Sequence, residues 1–259
     1  MSARTPARDA MLDSEAAALA GTTRSRIVDP GGVTFVYHGA ADAVNLRCWI
    51  HGLPASQPFE RVGDGDLWVL RVELPENSRI EYKFEVVRDG QEEWILDPLN
   101  PLQAADPFGA NSVAQGMGYA RPEWTVADPA ARAGIVDEVA VPSEALGDDR
   151  HVAVYVPARF RRNRRYPLLV VHDGYDYLRY ANLQAVLDNL IHRLEIPPLI
   201  AALTQSPHRL EEYAGHDAHS RFVAVELPER LQHSFPLHAN PAARGLMGAS
   251  FGAVASLHA

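Results

Sequence analysis

The sequence predicts two architectures in series: an all-β sandwich over residues 26–120, then an alternating α/β domain over residues 134–259. Three observations carry this. Between Val33 and Val113 the apolar residues recur with a period of two, in short runs separated by turn signals. Beyond Gly134, apolar runs alternate with helical spacing, the pattern of a sheet covered on both faces. Near the C-terminus, Gly248-Ala249-Ser250-Phe251-Gly252 stands between apolar Gly245-Leu246-Met247 and small-residue Ala253-Val254-Ala255.

Composition bounds the function class. With 259 residues, 47% hydrophobic and 22% charged, the chain reads as a soluble globular protein of two modest domains. A net charge of −9 argues against nucleic acid or an anionic membrane as partner. No apolar run is long enough to span a bilayer. Residues 1–25 are expected to be a disordered tail. Asp9, Asp13 and Glu15 interrupt any signal-peptide core, which makes the cytoplasm the expected compartment. The lone Cys48 excludes an intrachain disulfide framework and reads as a buried structural thiol.

In the first domain, Val33, Phe35 and Tyr37 alternate with polar or outward positions, as do Ile80, Tyr82, Phe84 and Val86. Leu46–Ile50, Leu67–Val72 and Trp94–Leu96 read as further strands. Arg88-Asp89-Gly90-Gln91 is a hairpin turn, because Asp-Gly supplies the positive φ of a two-residue loop. Pro98, Pro101, Pro107 and Gly109 mark an irregular exit. Trp68 and Trp94 either pack inside the protein or, if exposed, offer a glycan-binding surface. Residues 121–133, rich in Pro and Ala, read as a linker.

In the second domain, Ile135–Val141 and His151–Val156 read as strands, and Arg161-Arg162-Asn163-Arg164-Arg165 as a solvated connection. Docking of an acidic ligand is the alternative there. Leu168–Val171 is a buried central strand that ends in His172-Asp173-Gly174-Tyr175-Asp176. Leu183–Leu194 is amphipathic, Leu199–Leu203 is the next strand, and His216–Phe235 reads as one helix with Phe222, Val225 and Leu227 inward. His216 and His219, one turn apart, have the spacing of two metal ligands but no third; a surface pair is the expected reading.

Gly248 to Gly252 has the form of a nucleophile elbow: strand, sharp turn with serine at the tip, helix. Ser250 is the candidate nucleophile. In that architecture, the residue after the serine and the loop after the third strand each donate a backbone N–H to an oxyanion. Phe251 and Tyr175 fill those positions through their amides, with Gly174 allowing close backbone approach. A plain strand-to-helix turn is the alternative for the Tyr175 loop. His172 and Asp173 are expected to shape that loop.

Val170-Val171-His172-Asp173-Gly174, Pro197-Pro198-Leu199-Ile200, Arg209-Leu210-Glu211-Glu212-Tyr213 and Arg244 through Gly252 occur in that order. Together they resemble the esterase D/enterochelin esterase group of α/β hydrolases, and the sandwich resembles the early-set Ig-like domain that precedes it in enterochelin esterases. The resemblance covers about residues 30 to 259. It implies an N-terminal Ig-like sandwich, then the N-terminal half of an α/β-hydrolase domain. The implied protein is a cytoplasmic serine esterase acting on a small-molecule ester or lactone, such as a ferric catecholate siderophore, without metal or organic cofactor. It also places Arg209 in a substrate-bordering loop, where the side chain either attracts an anionic chelate or pairs with Glu211 or Glu212.

In this group the acid and the histidine follow the serine in chain order. Here only Phe251–Ala259 follow, and His258, about 12 Å along the same helix, is out of reach of Ser250. The expectation is the front part of a longer protein, with acid and base beyond Ala259 and an apolar edge on the elbow strand. The alternative is a truncated, non-catalytic protein whose sandwich binds a glycan or a protein partner.

Overall fold

A computed structural model describes residues 26–49 and 52–259. The tail expected over residues 1–25, and Ile50 at the end of an expected strand, lie outside the described residues. The chain divides into two compact units, Met1–Ala120 and Arg121–Ala259.

The first unit holds two antiparallel sheets. One runs β1 (Arg26–Asp29), β2 (Gly32–His38), β6 (Leu67–Val72), β5 (Glu60–Arg61). The other runs β4 (Ser56–Pro58), β3 (Ala43–Cys48), β7 (Arg79–Arg88), β10 (Gly109–Gln115), β9 (Gln103–Asp106), with β8 (Gln91–Ile95) also paired to β7. Alternate residues from both sheets meet in one core: Phe35 and Trp68 from the first, Leu46, Tyr82 and Phe84 from the second. A sandwich follows from the period of two. The β7–β8 turn is the expected one, with Asp89 and Gly90 at φ 50° and 73°. Cys48 is buried in the core, and burial raises its pKa.

Two expectations fail here. The proline-marked exit is not irregular throughout, because β9 and β10 form a hairpin across it. The Asp106 carboxylate accepts the Phe108 N–H and makes the turn that Pro107 begins. The two tryptophans also separate. Trp68 is buried, whereas Trp94 is 45% exposed. The Trp94 indole N–H donates to the buried Glu85 carboxylate, and the Arg47 guanidinium lies 4.7 Å from its ring, so the indole is held on the outer surface.

The second unit is built on a five-stranded sheet: β11 (Ile135–Ser143), β12 (Asp148–Val156), β14 (Ile200–Thr204), β13 (Leu168–Val171), β15 (Arg244–Met247). β13 is parallel to both its neighbours; the other pairings are antiparallel. Alternation along the strands creates two cores. Ala201, Leu203 and Val171 pack with Leu183 and Leu187 of α2 (Leu183–His192) on one face. Val170, Ile200 and Ala202 pack with Phe222, Leu227 and Leu231 on the other. β15, the expected elbow strand, pairs with β13 alone among the described residues, and all four of its residues are partly exposed.

The helix expected over His216–Phe235 is interrupted. α4 (Asp217–Arg221) passes through a π turn, Phe222–Glu226, into α5 (Leu227–Gln232). Pro228 has no N–H for the Ala224 carbonyl, which accepts from Arg244 Nη1 instead. The extra residue rotates the face, so Val223 is buried and Val225 is exposed.

Residues 121–133 are not a free linker. Asn189 Nδ2 donates to the Trp124 and Val126 carbonyls, and the Asp188 carboxylate accepts the Gly134 N–H. These side-chain bonds carry no periodicity and left no pattern to read. A further short helix, α1 (Gly174–Tyr180), begins directly after β13. Gly174 does permit a close approach, but to Leu203 of β14: a Cβ there would lie 2.5 Å from Leu203 Cα. Gly174→Ala is therefore expected to lower stability by about 1–3 kcal/mol through overpacking. Urea unfolding with an unchanged midpoint would refute this account of the glycine.

Candidate active site

β15 ends at Met247 and the C-terminal helix, α6 (Phe251–His258), begins four residues later. Between them the chain reverses so tightly that a Cβ on Gly248 would overlap the backbone of Gly252. Ser250 stands at the tip with φ 53° and ψ −121°, exposed to solvent. A non-glycine residue in such a conformation costs about 1–3 kcal/mol, and it persists only where the surroundings fix it.

His172 supplies part of that fixing. Its backbone N–H donates to Met247 O, and its Nδ1 lies 3.3 Å from the same carbonyl and 3.1 Å from Ser256 Oγ. Ser256 Oγ–H donates to Gly252 O, which leaves its oxygen to accept from His172. A proton on Nδ1 therefore serves both acceptors. One imidazole ties the strand before the elbow to the helix after it.

The parallel register Val171↔Met247 brings the ends of β13 and β15 to one edge of the sheet. Tyr175 lies in the first turn of α1 and Phe251 at the start of α6, where backbone N–H groups have no intrahelical partner. Neither amide donates a hydrogen bond among the described residues. The Tyr175 hydroxyl donates to Glu138, and burial with that carboxylate pushes its pKa up to about 12. Its ring is thus turned to the sheet while its amide stays open.

Arg209 occupies a single helical turn, α3 (Arg209–Glu212), not a loop. Its partner is Asp173, through Nε and Nη2 at 2.9–3.0 Å, and not Glu211 or Glu212. Asp173 adopts a left-handed conformation, φ 55°, which turns its carboxylate to the arginine. The guanidinium carbon lies 5.8 Å from the Phe251 ring, and Nη1 has no hydrogen-bond partner among the described residues. Ser250, Phe251, Tyr175 and Arg209 are thus gathered at one end of the sheet. Ser250 Oγ itself has no hydrogen bond among the described residues.

Glu212 explains why Arg209 found another carboxylate. It is buried and accepts two bonds from Arg150 of β12 and one from Ser206. Arg150 was missed, since an arginine in a strand reads as outward-facing; only its buried carboxylate partner would have marked it. The histidine pair also departs from expectation. His216 is exposed, but His219 is buried, with its ring 5.3 Å from that of His172 and 5.0 Å from that of Tyr213. Its ring packs among those of His172, Tyr213 and Phe222. No group of His, Cys, Asp and Glu suited to a metal occurs among the described residues, and no described helix is long and apolar enough to cross a membrane.

Burial holds the His219 imidazole down to about 4, helped by the neighbouring His172 and opposed by Glu212. An unfolded histidine titrates near 6.5. Between those values the unfolded chain binds more protons than the folded one, so stability is full above about pH 6.5 and falls as pH drops toward 4. His219→Phe, which keeps an aromatic ring beside Tyr213 and Phe222, is expected to flatten that fall in the urea midpoint. An equally steep fall in the variant would locate the acid sensitivity elsewhere.

Residues 143–259 match the Esterase family, whose description is "Putative esterase". The chain is similar to the uncharacterized protein YjcH of Bacillus subtilis (strain 168), with 26% identity over 131 residues, 48% of this chain and 55% of that protein. It is also similar in structure to the enterobactin esterase FES from Shigella flexneri in the presence of 2,3-di-hydroxy-N-benzoyl-glycine. There the TM-score is 0.66 at 23% identity, covering 87% of this chain and 65% of that one. The ferric enterobactin esterase from Salmonella typhimurium gives a TM-score of 0.70 at 19% identity, covering 94% and 72%. The chain thus spans about half to two thirds of the length of the first two. The structural likeness is one of fold, and the family match supports an esterase.

Proposed function

We propose that this chain carries the nucleophile and substrate-binding part of a serine esterase. Its second unit is read as the front of an α/β-hydrolase domain and its first as an early-set Ig-like sandwich. The observation that carries this is Ser250, exposed at positive φ on a turn that only glycine at 248 permits. Ser250 Oγ attacks an ester or lactone carbonyl and gives its proton to the base. The ester C–O bond breaks, the alcohol leaves with that proton, and water then hydrolyses the acyl-serine to free the acid and restore the serine hydroxyl. The Phe251 and Tyr175 amides donate to the oxyanion. Acid and base are assigned to positions after the serine in chain order, as the resemblance implies. Arg209 keeps its Nη1 for an anionic substrate, with Asp173 setting the plane of the guanidinium. Structural neighbours crystallised with enterobactin or a dihydroxybenzoyl compound favour a catecholate lactone as that substrate.

Fluorophosphonate labelling of the full protein tests the nucleophile. The label is expected on Ser250 and on no other serine, and Ser250→Ala is expected to abolish it. A folded protein that stays unlabelled at Ser250 would end the esterase reading.

A second reading concerns the first unit. Trp49, 76% exposed, and Trp94 lie with ring centroids 6.3 Å apart beside Arg47, a surface suited to stacking on a glycan ring. Titration of the whole chain with a soluble α-glucan should then shift tryptophan fluorescence, and Trp94→Ala should remove the shift. An unresponsive wild-type chain rules glycan binding out.

A further inference from the structure

The arginine-rich connection between β12 and β13 has no part in the esterase reading, yet it borders a cavity. This cavity, of about 470 Å³, is floored by the buried rings of Tyr155 and Tyr166 and walled by Ile191, with Arg132, Arg159 and Arg164 at its mouth. A neighbouring hollow of about 380 Å³ shares Arg132 and Arg159. The location is the opposite end of the sheet from Ser250. Tyr166 precedes β13, whereas the elbow follows the far end of β15. Six residues of extended chain, Tyr166 to His172, separate the two ends by on the order of 20 Å.

The three arginines are exposed and make no ion pair among the described residues; Arg164 lies 5.7 Å from the Tyr166 ring. Three unneutralised guanidinium groups around one cavity, on a chain of net charge −9, are a local reversal of the overall field. One carboxylate opposes them. Asp188 lies in the lining, held by the Tyr155 hydroxyl and the Gly134 N–H. Three positive charges less one leave about two to be matched, close to the charge of a phosphate monoester near neutral pH. Guanidinium groups also present the donor geometry that phosphate oxygens accept in pairs.

We infer that this cavity binds an organic phosphate, with the phosphate among Arg132, Arg159 and Arg164 and a compact apolar body against Tyr155, Tyr166 and Ile191. The inference stands independently of the esterase reading, since it shares no residue with the elbow.

Calorimetric titration of the chain with phenyl phosphate at low salt tests it, with inorganic phosphate and an Asp/Glu-rich peptide as comparators. Phenyl phosphate is expected to bind with a dissociation constant below about 1 mM, and about tenfold more tightly than inorganic phosphate. Arg159→Ala and Arg132→Ala should each weaken it about tenfold, with the far-UV spectrum unchanged because neither guanidinium leaves a buried partner behind. Arg209→Ala should leave the affinity unchanged, which separates this cavity from the serine site. Absence of binding, equal affinity for inorganic phosphate, loss in Arg209→Ala, or preference for the acidic peptide would each overturn the assignment.

Discussion

The crossing of Gly248 against Gly252 constrains everything at the C-terminal end of the second unit. β15 and α6 can leave the turn in their observed directions only if Gly248 carries no side chain, while a Cβ on Gly252 would press instead on His172 Cβ, 3.2 Å away. Ser250 then takes its positive φ, and the strain has to be held by contacts made elsewhere. Those contacts are specific. β15 is hydrogen-bonded to β13, and the chain that continues from β13 returns as His172 beneath the turn. Its imidazole reaches Met247 on one arm and Ser256 on the other. Ser250 is therefore fixed from below by the same loop that supplies Asp173 and the Tyr175 amide.

Ionic groups organise the next layer. Within the single turn α3, Arg209 and Glu212 lie three positions apart and are engaged by different partners, Asp173 toward the elbow and Arg150 toward β12. A buried ion pair such as Arg150–Glu212 is weak grounds for stability, because desolvation offsets much of its Coulomb attraction. Its geometric effect is the firmer argument. A four-residue helix has too few backbone bonds to hold its own orientation, so two oppositely directed carboxylate–guanidinium pairs set it. That orientation aims Arg209 across Phe251, with one guanidinium nitrogen left over.

Legibility in the sequence followed the range of the forces. The sandwich core, the β7–β8 turn and the strand–turn–helix of the elbow rest on local periodicity or on one obligatory glycine, and all were readable from neighbouring residues. The β9–β10 hairpin was hidden because its turn depends on an Asp106 side-chain bond next to a proline. The docked stretch 121–133 was hidden because Asn189 and Asp188, some sixty residues away, supply its hydrogen bonds. Val225 was misplaced by the π turn, which accompanies a carbonyl freed by Pro228 and taken by Arg244 from another element. The candidate site divided along the same line. Ser250 and the two amides follow from a motif; Asp173 as the partner of Arg209 follows only once Glu212 is seen to be occupied by Arg150.

The position of β15 in the sheet gives the His172 contacts their weight. A central strand is held by two ladders, but among the described residues β15 has only the one with β13, and its side chains are half-exposed. An edge strand with a free row of N–H and C=O groups opens at lower free energy than a strand paired on both sides. The strain at Ser250 favours such opening, since relaxing the turn would release it. The resisting contacts are then those outside the β13 ladder: His172 to Met247, His172 to Ser256, and Ser256 to Gly252. The two His172 contacts join the elbow to the buried end of β13, and Ser256 to Gly252 braces the first turns of α6. A neutral His172 is required for this arrangement, with Nδ1 carrying the proton and no charge to be buried. Burial, the largest influence on this imidazole, holds its pKa below the ordinary range and favours that neutral form.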